Sequence, residues 1–198
     1  MRTNRITKLT IGITMTFLPL VSSVPAAQAE VFRLEEATIA DITAAFDAGA
    51  MSCRRLTQLY LNRIAAYDKA GPKINSIITV NPRALETAAA LDEERRTRGP
   101  RSRLHCIPVL LKDNIDTADM PTTNGSVILK DAIPPDDSFI TKALRDAGAL
   151  ILGKASMGEF AAGSYNTVIG QTVNPYSLLR SVRLESSSRW VLVRRASQ

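Results

Sequence analysis

Lys112 ends a short run of apolar residues and is the side chain of this sequence best placed to act as a base. The run reads Ile-Pro-Val-Leu-Leu-Lys-Asp-Asn at positions 107–114, and its apolar part has no polar face, which is typical of a strand buried on both sides. An ammonium group on such a strand either reaches water or, when burial makes it give up its proton, becomes a base. Because lysine is almost never fully buried, spacing alone favours a strand end in solvent.

Other kinds of site find little support in the composition. His105 is the only histidine in the 198 residues, which excludes a histidine-based triad with spare ligands and a metal site with several histidines. Cys53 and Cys106 lack the Cys-x-x-Cys spacing of metal and redox sites. An oxidising compartment would permit a disulfide between them, but we expect two buried free thiols. The sequence thus predicts neither a metal nor a cofactor.

The net charge of +6 does not indicate a nucleic-acid partner. The excess of positive over negative charge lies in the first 29 and the last 18 residues, and no basic stripe is interleaved with aromatic residues. Residues 148–155 read Gly-Ala-Leu-Ile-Leu-Gly-Lys-Ala, close to the phosphate-loop pattern GxxxxGK[ST], but Ala155 could not bind magnesium. The apolar residues between the two glycines prefer a strand, so we disfavour a nucleotide site and expect Lys154 to end that strand.

Residues 1–29 have the pattern of a secretory signal peptide. A basic start precedes an apolar stretch that is too short to span a membrane, and Ala-Gln-Ala at positions 27–29 forms a small-residue cleavage site before Glu30. We therefore expect a secreted or periplasmic protein without a membrane anchor.

The rest of the chain alternates helices and strands. Helices are expected from a capping box at residues 38–41, after Ser52, after Pro82, from Asp137 and at residues 156–160. Residues 74–80, 107–112 and 149–152 have strand composition, and the strand, helix and strand between 107 and 152 imply parallel pairing. The fold class is α/β, with a mixed, mostly parallel sheet flanked by helices.

A series of motifs in a fixed order resembles the amidase signature family, hydrolases of carboxamide C–N bonds. The series begins with Leu-His-Cys-Ile-Pro-Val-Leu-Leu-Lys-Asp-Asn-Ile-Asp at 104–116 and Met-Pro-Thr-Thr-Asn-Gly-Ser at 120–126. It continues with Asp-Ala-Gly-Ala-Leu-Ile-Leu-Gly-Lys at 146–154, Met-Gly-Glu-Phe at 157–160 and Gly-Gln-Thr-Val-Asn-Pro-Tyr at 170–176. The resemblance covers residues 34–180 and implies the N-terminal part of an amidase signature domain, assigned here to residues 30–180.

The resemblance also implies a role for Lys112. In the family the lysine at the matching strand end is the base of a Ser–Ser–Lys triad that acts on small-molecule amides without a cofactor. It further implies that residues 122–126 pack against the lysine strand. The alternative, that these residues form a plain surface loop, is not decided by the sequence. Cys106 stands where the family usually has glycine.

Residues 181–198 depart from the family pattern and form a divergent tail that we predict to be disordered. The tail has no glycine, whereas the family's serine loop is mostly glycine, which allows tight turns and amide donors close to an oxyanion. A frameshift just after Arg180 would explain this departure. The candidate serines Ser186, Ser187 and Ser188 belong to the tail, so the sequence assigns only Lys112 to the site. Strands flanking 107–112 and 149–152 on one side would also be missing.

Three functions therefore compete, and the third, a nucleotide-binding protein, rests on the incomplete phosphate-loop pattern at residues 148–155. The first is an amide hydrolase of which this chain carries the lysine. The second is an inactive truncated remnant, or a binding protein, of the same fold. The sequence does not indicate the substrate or the oligomeric state, and an export signal disfavours a role as one of the amidotransferase subunits of translation.

Overall fold

The structure, a computed structural model, describes residues 32–181. The predicted signal peptide and the tail beyond Ser181, with Ser186, Ser187 and Ser188, lie outside the described residues. Within residues 32–181, no helix combines the length and the apolar character needed to cross a membrane.

Three of the four α-helices in residues 32–181 begin at a hydroxyl side chain that accepts a hydrogen bond from an otherwise free backbone amide. Thr38 and Asp41 form the predicted capping box, in which each side chain accepts a bond from the other residue's backbone amide. Ser52 and Ser138 cap the second and fourth helices in the same way. The helices are α1 (Ile39–Asp47), α2 (Cys53–Arg63), α3 (Ala84–Arg98) and α4 (Phe139–Asp146), and a π-helical turn (Ile64–Lys69) extends α2.

The main sheet has three strands, β1 (Ile77–Val80), β2 (Pro108–Lys112) and β3 (Leu150–Ala155), in the order β1-β3-β2. β2 pairs with β3 in parallel, as predicted, and β1 pairs with β3 antiparallel. The fold is therefore α/β with a mixed sheet. β3 has a neighbouring strand on both sides, because β1 pairs with the edge that β2 leaves free. The expectation that a flanking strand is missing beside residues 149–152 is therefore wrong. Among the described strands, β2 is at the edge.

The core lies between the sheet and the helices α1 to α3. Leu56 of α2, Ala88 of α3 and Leu150 of β3 are each completely buried there. Asp92 of α3 accepts hydrogen bonds from the backbone amides of Cys53 and Arg54, which ties the start of α2 to α3. This helical layer supports the sheet that carries Lys112.

Cys53 and Cys106 are joined by a disulfide, so the expectation of two free thiols is wrong. The first residue of α2 and a residue just before β2 meet in the core, with their Cα atoms 5.2 Å apart and both side chains fully buried. Cys106 has a φ of +70°, in the left-handed region that favours glycine. The bond therefore connects the helical layer to the entrance of β2.

The chain after β3 does not form the helix predicted at residues 156–160. It makes one 3-10 turn (Glu159–Ala161) with positive φ at Phe160 and Ala161. The amide of Phe160 donates to the carbonyl of Asn124, 2.8 Å away, so this backbone is bound to another loop. Two short hairpins follow, β4 (Tyr165–Asn166) with β5 (Gly170–Gln171) and β6 (Val173–Asn174) with β7 (Ser177–Ser181).

Candidate active site

The carboxyl end of β2 sends Lys112 and Asp113 in opposite directions. Lys112 pairs with Ala155 of β3, and the amide of Asp113 donates to the carbonyl of Ala155 over 3.1 Å. Side chains alternate along an extended chain, so Lys112 is exposed whereas Leu111 and Asp113 on either side are buried. Asp113 therefore points away from Lys112.

Lys112 itself reaches solvent. No hydrogen bond or ion pair connects its ammonium to another residue in the described part of the chain. The buried alternative for this side chain is therefore wrong in this structure, because Lys112 lies on the same face of the sheet as Leu110, which is also exposed. Lys112 remains the candidate base, presented at the end of a strand whose backbone is fixed by β3.

The loop of residues 121–126 packs against the end of β2, as the resemblance implied. The Oδ2 of Asp113 accepts hydrogen bonds from the Thr123 hydroxyl and from the amide of Gly125, the latter over 3.1 Å. Thr122, Thr123 and Ser126 are all buried. The alternative of a plain surface loop is therefore excluded.

Lys154 is the buried lysine of this region, and the sequence did not reveal it. It lies within β3, opposite Leu111, and its side chain is completely buried. Its Nζ donates to the Thr122 hydroxyl over 2.9 Å and to the carbonyl of Pro121 over 3.2 Å. The same Nζ is 3.9 Å from the Oδ1 of Asp113. Because it is directed into the protein, Lys154 does not take the role of a phosphate-loop lysine.

Burial lowers the pKa of Lys154, because a buried ammonium loses its hydration. The negative charges of Asp113, Asp116 and Asp119 act in the opposite direction and raise it, but they do not outweigh the burial. Lys112 and Lys154 are thus two lysines from adjacent parallel strands with opposite environments, one in solvent and one in the interior.

A segment after β3 closes the other side of the loop. The amide of Thr167 donates to the carbonyl of Gly125 over 3.0 Å. A Cβ at Gly125 would lie 2.8 Å from the carbonyl oxygen of Met157, and the φ of Gly125 is +71°. Only glycine fits such a position without strain, so the loop is held between β2 on one side and residues 157–167 on the other.

Cys53, Cys106 and His105 place possible metal-ligand atoms within 4.8 Å of one another. The two sulfur atoms are bonded to each other. The Nδ1 of His105 accepts a hydrogen bond from the amide of Arg101, and its Nε2 is 3.0 Å from the carbonyl oxygen of Leu91. Every ligand atom of this group already has a partner, so we assign the group to the stability of the core.

Known proteins with a similar sequence or structure are amidases and related enzymes. The family model described as Amidase matches residues 55–182. The chain is 40% identical over 146 residues to a glutamyl-tRNA(Gln) amidotransferase subunit of Acidothermus cellulolyticus, a match that covers 72% of this chain and 28% of that protein.

Two solved structures share the fold. The peptide amidase of Stenotrophomonas maltophilia is 44% identical, with a TM-score of 0.70 over 72% of this chain and 31% of that chain. An amidase family protein of Bacillus anthracis is 39% identical, with a TM-score of 0.72 over 75% of this chain and 31% of that chain. The chain thus spans less than a third of the length of these relatives. From the order of its motifs, its α/β sheet and these matches, the chain belongs to the amidase family.

Proposed function

We propose that this chain is the lysine-bearing part of an enzyme that hydrolyses carboxamide C–N bonds, and that Lys112 is its general base. The observation that carries the proposal is the position of Lys112, exposed at the carboxyl end of β2 beside an anchored loop, in a chain of the amidase family. No other residue of the 104–126 motifs combines exposure with the ability to accept a proton in neutral form.

The chemistry requires a nucleophile, a base and donors for the oxyanion. In the proposed mechanism the rest of the domain covers Lys112 and so favours its neutral amine. This amine takes the proton of a bridging serine, which in turn activates a nucleophilic serine. The nucleophilic serine bonds to the carbonyl carbon, and the proton passes to the nitrogen that leaves as the C–N bond breaks. Water then hydrolyses the resulting acyl-serine ester and restores the serine. Both serines belong to the part of the domain that lies beyond the described residues. A small carboxamide, with an amidated peptide as the first compound to try, is the proposed substrate class.

Export of the protein is part of the proposal. The disulfide between two fully buried cysteines supports an oxidising compartment, since such bonds persist mainly in exported proteins. Expression in a bacterium and mass spectrometry of the periplasmic fraction test this point. We expect a chain that begins at Glu30, and an uncleaved chain found only in the cytoplasm would contradict export.

The activity is tested by resequencing the gene from the codon of Leu178 to well beyond that of Gln198, and by assaying the encoded protein. Ammonia release from amidated peptides is measured for the wild type, for K112A and for K142A. Lys142 is a matched control, because it is exposed on α4 and, among the described residues, its ammonium pairs with Asp146 alone.

We expect K112A to lower kcat at least about 100-fold with an unchanged circular dichroism spectrum, since general bases contribute about that much or more. K142A should behave as the wild type. Full activity of K112A would remove Lys112 from the mechanism. If the gene encodes no serine loop beyond Arg180 and the purified protein has no turnover, the alternative of a non-catalytic remnant or binding protein replaces the hydrolase.

A further inference from the structure

A lysine and an aspartate face each other in the interior, directly beside the residue proposed as the base. The Nζ of Lys154 and the Oδ1 of Asp113 are 3.9 Å apart, and both side chains are completely buried. Within the described residues, this Oδ1 has no hydrogen-bond partner. Either charge alone would be strongly unfavourable at such a site, so the two depend on each other.

The two charges hold the same stretch of chain from opposite ends. Lys154 donates to Pro121 and Thr122, while Asp113 accepts from Thr123 and Gly125. Residues 121–125 form neither helix nor strand, so these side-chain bonds fix the loop together with its backbone bonds to residues 113, 132, 160 and 167. The pair thus joins β3, the end of β2 and the loop into one unit.

We infer that Lys154 is a positioning residue which, through Asp113 and the 121–125 loop, fixes the direction in which Lys112 leaves β2. Lys112 lies between Leu111, which pairs with Lys154, and Asp113, whose carboxylate faces Lys154. Any displacement of Asp113 would turn the adjacent Lys112. The importance of the direction of Lys112 for catalysis rests on the proposed function. The anchoring of the 121–125 loop by Lys154 and Asp113 does not.

The test uses the full 198-residue chain and the variants K154M, D113N and K154M/D113N, compared by hydrogen exchange with mass spectrometry. Each single variant leaves one buried charge without its partner, and the double variant leaves neither. We expect amide exchange in residues 113–126 to become at least about ten-fold faster in each single variant and to slow again in the double variant. Exchange in α2 and α3 should stay at the wild-type rate.

The link to Lys112 has its own measurement, which is the rate at which acetic anhydride modifies this amine in each variant. We expect the rate to change in K154M and to return towards the wild-type value in K154M/D113N. The exposed pair Lys142 and Asp146 supplies the matched control K142M/D146N, for which no change in exchange or in modification of Lys112 is expected.

Three results would overturn the inference. In the first, exchange in residues 113–126 of the double variant is accelerated by as much as the two single variants together. In the second, the single variants also exchange faster in α2 and α3. In the third, the modification rate of Lys112 is the same in K154M as in the wild type. If the single variants do not fold, the double variant is still expected to fold, because it buries no unpaired charge. A double variant that does not fold would contradict the proposed dependence of Lys154 and Asp113 on each other. None of these readouts needs turnover, so a failure of Lys112 as the base would be seen separately.

Discussion

Cys53 and Cys106 are bonded to each other across 53 residues of sequence, and Cys106 adopts a left-handed backbone conformation with a φ of +70°. The bond connects the first residue of α2 to the entrance of the strand that ends at Lys112. It is therefore a covalent link between the helical layer and the sheet, in addition to the packing of the core.

Loss of this bond is expected to destabilise the chain considerably. A cross-link that closes a loop of this length lowers the conformational entropy of the unfolded state. The loss corresponds to roughly 4 kcal/mol of stability. C53S should therefore lower the free energy of unfolding by about that amount, as measured by urea denaturation under oxidising conditions. Reduction of the wild type with dithiothreitol should give a similar loss. Equal stability of the oxidised and reduced chains would contradict the prediction.

Glycine at position 106 should recover part of that loss. In C53S the backbone of Cys106 remains in the left-handed region. This conformation is unfavourable by about 1–2 kcal/mol for residues other than glycine. The variant C53S/C106G should therefore be more stable than C53S by about 1 kcal/mol, again in urea. A double variant that is no more stable than C53S would show that the backbone at Cys106 relaxes when the bond is lost.

The burial of Lys154 predicts a stability that increases with pH. Burial lowers its pKa in the native state, so between that value and the ordinary value of about 10.4 the unfolded chain binds more protons than the native one. The free energy of unfolding must therefore rise with pH in this window. Urea denaturation between about pH 7 and 10 should show the rise in the wild type and in K142M, but not in K154M. Parallel curves for all three proteins would be inconsistent with a lowered pKa.

Asp68 should determine part of the acid stability. Burial raises the pKa of this carboxylate, but hydrogen bonds from the Ser76 hydroxyl and amide, together with the charge of Lys69, more than compensate and keep it lowered. Its contribution is present above the unfolded value of about 3.9 and is lost as pH falls through the lower native value. We expect D68N to lose about 2 kcal/mol at neutral pH and little below about pH 3. A loss that is the same at both pH values would contradict this.

Gly125 is expected to tolerate no side chain. An alanine there combines a φ of +71° with a Cβ 2.8 Å from a carbonyl oxygen and 3.0 Å from the Cβ of Asn166. G125A should lower the free energy of unfolding by about 2 kcal/mol or more. G49A is a suitable control, because Gly49 also has a positive φ but no atom near its Cβ. Equal losses in both variants would show that backbone strain alone accounts for the effect at Gly125.

Much of the fold could be predicted from local signals. The capping box at Thr38, the serine cap at Ser52 and the apolar runs that became β2 and β3 all depend on neighbouring residues, and the structure confirms them. The helix predicted after β3 failed because the backbone of Phe160 binds Asn124, a partner far earlier in the chain. Such a contact leaves no periodic signal in the sequence.

The site was predicted only in part, for the same reason. The position of Lys112 at a strand end was visible, but the choice between solvent and interior depended on whether the face of the sheet that it shares with Leu110 is covered by other elements. Lys154 was missed because an apolar run followed by lysine predicts an exposed strand end. A signal was present nevertheless, since Asp113 follows the neighbouring parallel strand and the carboxyl ends of parallel strands meet at one edge.

The sheet order also constrains the sequence of events during synthesis. β2 has β3 as its sheet neighbour among the described strands, and β1 pairs with β3 as well, so neither β1 nor β2 can enter the sheet until residue 155 has emerged. Both cysteines emerge earlier than β3. Under the proposed export, in which the chain emerges from its N-terminus, the disulfide is therefore available first, and it can hold the start of β2 beside α2 before the central strand β3 emerges.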